Sequence, residues 1–222
     1  MPTDHPITPI KLHAGNLGLC GCPGGAAAFF GRPDSDSGID ALARWPAGAV
    51  VTLMESRELE ILGLDGLPRE FKERFPLWLH LPIRDGDIPG AHWMERWQLA
   101  RLVIAALLAE GDNVAVHCLA GVGRTGTIAA MCLVDAGFGT GREALDHVRQ
   151  LHNVHAAETP EQEAFVEQYQ PADILKANTV HDQLADTIAR AGMEPVIDER
   201  RPIDPKPSRK NRLRPWSVVG DP

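Results

Sequence analysis

Short β-branched or apolar runs alternate along this chain with stretches whose apolar residues recur every third or fourth position, from Ile7 to about Tyr169. Ile7 to Cys22 holds two short apolar pieces ahead of the breaker cluster Cys22-Pro23-Gly24-Gly25, which reads as a strand or hairpin closed by a tight turn. Val50 to Met54 and Leu77 to Pro82 suit buried strands, and between them Arg57 to Phe75 has helical spacing with breaks at Gly63, Gly66 and Pro68. From Ala91 to Glu110 the positions Trp93, Trp97, Ala100, Ile104, Leu107 and Leu108 mark an amphipathic helix that Gly111 stops. Asn113 to His117 is a further strand. A glycine-rich turn leads from it into Thr125 to Ala136, small or apolar on every side and therefore expected at the centre of the fold. Gly141 to Leu151 and Thr159 to Tyr169 complete the pattern as amphipathic helices. Strands alternating with helices predict an α/β fold, a central mostly parallel sheet flanked by helices.

After Pro171 the pattern ends. The 222 residues suffice for one domain with a sizeable core and a modest tail. Residues 1–171 are expected to form the catalytic domain and 172–222 a C-terminal extension, with a short helix at Val180 to Ala191 and then a basic, proline-rich flexible tail. Residues 200–214 carry seven basic side chains against Asp204, a local +6 in a chain of net −8. Such a stretch buries too little apolar surface to order itself. A solvated appendage and a segment docking on an acidic partner are both open readings of it. The overall negative charge argues against a surface that coats nucleic acid or anionic lipid, so neither nucleic acid nor membrane is an expected partner. No window approaches the roughly 20 consecutive apolar residues of a spanning helix. Four cysteines and a start unlike a secretory signal point to the cytoplasm.

The chemistry concentrates in His117-Cys118-Leu119-Ala120-Gly121-Val122-Gly123-Arg124-Thr125-Gly126, after a strand and at the opening of a helix. A glycine-rich turn of five residues between Cys118 and Arg124 can point successive backbone N–H groups of Leu119, Ala120, Gly121, Val122, Gly123 and Arg124 into one concavity that suits a phosphate. The same field favours thiolate over thiol and makes Cys118 a nucleophile. Arg124 can meet two phosphoryl oxygens with its planar fork. Thr125 is placed to donate its hydroxyl to the sulfur, and His117 to hold the turn by hydrogen bonds. Taken singly, Cys118 reads as a core thiol and Arg124 as a surface charge; their joint spacing reverses both readings. A general acid is expected from Asp85 or Asp87, in the loop Leu81 to Gly90, where either carboxyl could instead stabilise a turn beside glycine. Cys20 and Cys22 read as ordinary partly buried thiols, with a redox or metal role as the alternative. Cys132, about 12 Å along a helix from Arg124, reads as core. Trp93 and Trp97 read as packing.

This signature resembles that of the protein tyrosine and dual-specificity phosphatases: His-Cys, five residues, Arg, then Ser or Thr. Leu17-Gly18-Leu19-Cys20, Pro23-Gly24 and Pro82-Ile83-Arg84-Asp85-Gly86 are similar to segments of the kinase-associated, cyclin-dependent-kinase-inhibitor group. The resemblance spans roughly residues 7 to 170. It implies the fold of that superfamily and hydrolysis of a phosphoprotein through a phosphocysteine, with neither metal nor cofactor. It also implies Asp85 as the acid, since Pro89 follows it at the family's spacing, and Gln162 as a residue that positions water, with Glu158 where the family often has a first glutamine. The uncharged residues Leu119 to Gly123 favour phosphoprotein over phosphoinositide, with tyrosine against serine or threonine left open. The rival readings are a catalytically silent phosphate-binding module and a sulfur transferase or arsenate reductase.

Overall fold

The computed structural model describes residues 5–28 and 36–171; the helix expected at Val180 to Ala191 and the basic tail lie outside them. Five strands, β1 (Thr8–Leu12), β2 (Gly15–Cys20), β3 (Ala47–Thr52), β4 (Leu77–His80) and β5 (Asn113–His117), form one sheet in the order β1-β2-β5-β3-β4. The first two make an antiparallel hairpin with Ile10 opposite Leu17, and the remaining pairings are parallel. The mostly parallel sheet expected from the alternation is what forms.

Helices cover both faces of the sheet. They are α1 (Gly25–Ala28), α2 (Asp36–Arg44), α3 (Ser56–Ile61), α4 (Leu67–Arg74), α5 (Ala91–Glu110), α6 (Gly123–Asp135), α7 (Gly141–Leu151) and α8 (Pro160–Gln168). Successive side chains of a strand point to opposite faces. Val114 and Val116 of β5 accordingly pack with α5, α6 and α7, whereas Ala115 packs with Ile39, Leu42, Leu59 and Phe71 of α2, α3 and α4. Burial on both faces is why these strands read as unbroken apolar runs. Every residue of α6 from Gly123 to Val134 is buried, as its all-round apolar pattern requires. Trp93 and Trp97 stack with centroids 5.3 Å apart and donate to Leu81 O and Tyr169 Oη, which is a packing role.

Two elements depart from expectation. Pro68 breaks nothing: it lies in the first turn of α4, where its missing N–H has no intrahelical partner to lose. The stop between α3 and α4 comes instead from Gly63, whose φ of 66° ends α3. Helix α2 carries no signal strong enough to have been read, since Ile39 and Leu42 are its only large buried residues and Asp, Ser and Gly precede them. Among the described residues no helix is long and apolar enough to cross a membrane.

The central strand β5 delivers its C-terminal end between β2 and β3, the edge of an open α/β sheet where ligands bind. Packing of α6 behind that edge is the main structural requirement. Replacing Leu133, 1% exposed on α6, by alanine is expected to cost about 2–5 kcal/mol in urea denaturation; a loss below about 1 kcal/mol would contradict this packing.

Candidate active site

Cys118 follows β5 without an intervening residue and Gly123 already begins α6, so residues 118–124 make a bend between strand and helix. The carbonyls of this bend are bonded on its outer side. His117 Nδ1 donates to Cys118 O (3.2 Å), Cys22 N–H to Leu119 O (2.9 Å) and His152 Nε2 to Gly121 O (2.7 Å). Gly126 N–H donates to Val122 O (2.9 Å) and Thr127 Oγ1 to Gly123 O (3.0 Å). In a planar trans peptide the following N–H points opposite to the carbonyl. These bonds therefore turn the N–H groups of Leu119, Ala120, Val122, Gly123 and Arg124 to the inner side of the bend. Gly121 N–H donates to Cys118 Sγ at 3.2 Å. Gly121 has φ 78°, and a Cβ there would lie 2.5 Å from Cys20 O, so the turn closes only with glycine.

Arg124 is 1% exposed and held from several sides. Its Nη1 and Nη2 each donate to a different oxygen of Glu58, both at 2.8 Å, and Nη1 also reaches Ile83 O at 3.0 Å. Asp85 Oδ1 lies 2.9 Å from Nη2. Burial favours loss of the guanidinium proton, but Glu58, the Cys118 sulfur and Asp85 outweigh it and raise the Arg124 pKa. Its Nε is buried with no hydrogen-bond partner.

Glu58 was missed in the sequence. It stands three residues after Glu55, whose N–H donates to Glu58 Oε2 at 3.4 Å, a spacing that reads as helix capping and hides its bond to Arg124. His152 was missed as well: it reaches the bend from the end of α7 and also bonds Thr8 Oγ1 at 2.9 Å, contacts only the folded chain brings together.

The two acid candidates separate. Asp85, with a side chain 69% exposed, lies on Arg124, while Asp87 Oδ1 accepts from the N–H of Ile88 in its own turn. Gln162, on α8, is buried; its Nε2 donates to Asp87 O at 3.0 Å and its Oε1 has no partner. Thr159 Oγ1 donates to Gly86 O at 3.4 Å, so the start of α8 is tied to the loop that carries Asp85. Thr125 Oγ1 is buried without a hydrogen-bond partner.

All four cysteines are free thiols. Burial pushes Cys20 up to about 12, with the neighbouring Cys118 adding to the shift, and burial raises Cys22 and Cys132 as well. Such thiols stay protonated and fit the reading of Cys132 as core.

A family model described as "Polymorphic toxin system, DSP-PTPase phosphatase" matches residues 25–138, just over half of the chain. The chain belongs to the DSP-PTPase phosphatase family. An uncharacterised protein of Methanocaldococcus jannaschii is 32% identical over 161 residues, 71% of this chain and 92% of the relative. A second protein of that organism is 35% identical over 100 residues, 45% of this chain and 63% of the relative. Protein tyrosine phosphatase type IVA 3 of Homo sapiens is 31% identical over 100 residues, 45% of this chain and 56% of the relative. The last two matches thus span less than two thirds of those relatives. Among solved structures, kinase associated phosphatase with its catalytic-site cysteine changed to serine superposes with a TM-score of 0.65 at 20% identity, covering 82% of this chain and 97% of the other. Tk-PTP in its active form gives 0.52 at 26% identity, with coverage of 81% and 97%. At 20% identity the likeness to kinase associated phosphatase is one of fold.

The bonds that hold the bend have consequences for stability. Burial keeps His117 neutral, its pKa pushed down to about 3. Nδ1 donates to a carbonyl, so Nε2 accepts from Thr52 Oγ1 (2.8 Å), which itself accepts from Trp78 Nε1 (2.9 Å). The unfolded imidazole titrates near 6.5, so the unfolded state binds more protons in the window between these values and stability falls as pH drops through it. This group contributes at most about 1.4 kcal/mol per pH unit. Stability to urea is expected to fall more steeply between about pH 6.5 and 4 in the wild type than in His117→Asn; equal slopes would contradict a buried neutral ring. Glu58→Gln removes the carboxylate that meets the buried guanidinium with both oxygens, leaving only the exposed Asp85 opposite its charge, and is expected to cost about 3–5 kcal/mol in the same assay, against less than about 1 kcal/mol if the pair were merely superficial.

Proposed function

We propose that this phosphatase hydrolyses phosphoprotein monoesters through a phosphocysteine, acting on phosphotyrosine and, through the same chemistry, on phosphoserine and phosphothreonine where the substrate reaches Cys118. One observation carries the reading: Arg124 Nε is buried without a partner, beside the bend that holds Cys118. Leaving a charged donor unsatisfied is costly unless an anion completes it. A phosphoryl group there would take Nε and the inward N–H groups from Leu119 to Arg124 together, and its charge would face the N-terminus of α6.

In the first step Cys118 Sγ attacks phosphorus, the S–P bond forms, and the bond to the leaving oxygen breaks as Asp85 gives that oxygen its proton. Water then attacks phosphorus while Asp85 takes a proton from it, the S–P bond breaks, and phosphate leaves with the thiolate restored. Asp85, at Arg124 Nη2, is within reach of a monoester bound to the same guanidinium. Thr125 has its hydroxyl free to donate to the departing sulfur, and Gln162 has an unpaired Oε1 to orient water while its amide holds the acid loop. His117 supports Cys118 through its carbonyl. The cytoplasm as the compartment, and an acidic partner for the basic tail, remain part of this proposal rather than of the fold.

Hydrolysis of para-nitrophenyl phosphate is expected for the wild type and lost in Cys118→Ser. Asp85→Ala should lower kcat by about 10²–10⁴-fold for a poor leaving group and by less for nitrophenol, with Asp87→Ala close to wild type. The reverse ranking would move the acid to Asp87, and an inactive wild type would make the chain a phosphate-binding module.

A further inference from the structure

Glu158 occupies a position that the two-step mechanism does not use. It is exposed, yet its carboxylate packs against the bend: a Cβ placed on Gly123 would lie 2.1 Å from Glu158 Oε1 and 2.7 Å from its Cδ. The acid therefore stands at the rim of the phosphate-binding bend, at the first residue of α6. Among the described residues it has neither an ion pair nor a hydrogen bond. Glu158 also lines an open cleft of about 360 Å³ together with Arg149, His155, Thr159, Glu163 and Glu167.

The charge balance around the cleft is uneven. Arg149 is engaged by Glu163 at 2.8 Å, and Arg142 bonds Glu163 and Glu167, so those charges are answered within the fold. The side-chain charge of Arg124 is likewise met by Glu58 and Asp85. Leu119 to Gly123 contribute no charged side chain, and the exposed Arg84 forms no ion pair with Glu158. Backbone N–H groups and a helix end thus supply much of the attraction for one phosphoryl group. Against Gly123 of that bend lies an uncompensated carboxylate that also lines an open cleft.

We propose that Glu158 is a specificity-determining residue, which reads a basic side chain next to the phosphorylated residue and disfavours substrates that bring a second negative charge to that side. This rests on the phosphatase reading above and names the substrate class within it. A cation in the cleft would gain from Glu158 while its own phosphate sits in the bend; a second phosphate or an acidic side chain would be repelled. The contact is solvent-exposed, so the preference is modest, about two- to fivefold, and weakens as salt screens it.

The test compares phosphotyrosine peptides that differ only in carrying Arg or Glu at positions flanking the phosphotyrosine. The wild type is expected to show a kcat/KM ratio of about two to five in favour of Arg, Glu158→Gln a ratio near one, and Glu158→Lys an inverted ratio. Because both peptides are measured on the same protein, any loss of folded enzyme cancels from the ratio. An unchanged ratio in both variants would overturn the proposal. Wild-type hydrolysis of para-nitrophenyl phosphate tells this failure from failure of the phosphatase reading. Should turnover be absent, the affinities of the same peptides for Cys118→Ser and for Cys118→Ser with Glu158→Gln give the ratio by binding alone, with the same two outcomes deciding it.

Discussion

Hydrogen bonds to the carbonyls of Cys118, Leu119, Gly121, Val122 and Gly123 fix the bend, and turn the N–H group that follows each carbonyl away from that carbonyl's partner. Each anchor comes from a different part of the chain. His117 belongs to the central strand, Cys22 to the turn after the hairpin, His152 to the end of α7, and Gly126 and Thr127 to α6 itself. An anion site built on such a bend, as proposed for phosphate, needs no cationic side chains inside the turn, because peptide dipoles and the helix end provide the positive field. It does need every neighbouring element in register.

The second constraint is the buried charge of Arg124. Taking a guanidinium out of water costs several kcal/mol unless a partner with good geometry answers it. Glu58 does so with both oxygens from α3, on the opposite side of the sheet from α7 and α8. Ile83 O and Asp85 hold the same guanidinium from other sides, so its plane is fixed while its Nε is left without a partner. On the other side, Thr159 and Gln162 grip the loop that bears Asp85. Cys118, Arg124 and Asp85 are thereby coupled through helices on both faces of one sheet.

What could be read in the sequence was whatever is local. The bend, its strand and its helix occupy one uninterrupted segment, so the glycine spacing and the Cys118 to Arg124 interval were visible without coordinates. Asp85 lay in a short loop whose punctuation by Pro82, Gly86 and Pro89 marked it. Residues that act across the fold were silent. Glu58 looks like part of a helix start, His152 like the end of an amphipathic helix, and nothing in either neighbourhood points to residue 121 or 124. The same locality explains α2, a helix whose two buried leucine-sized side chains make too weak a period, and Pro68, whose meaning changes with its position in a helical turn.

The account is tested most directly by following backbone and arginine N–H resonances while the phosphate analogue tungstate is titrated into the protein. Saturable shifts concentrated on the amides of Leu119, Ala120, Val122, Gly123 and Arg124, together with the Arg124 Nε–H, are the predicted result. Shifts centred elsewhere, or an Arg124 Nε–H unaffected at saturation, would contradict the arrangement on which the rest is built.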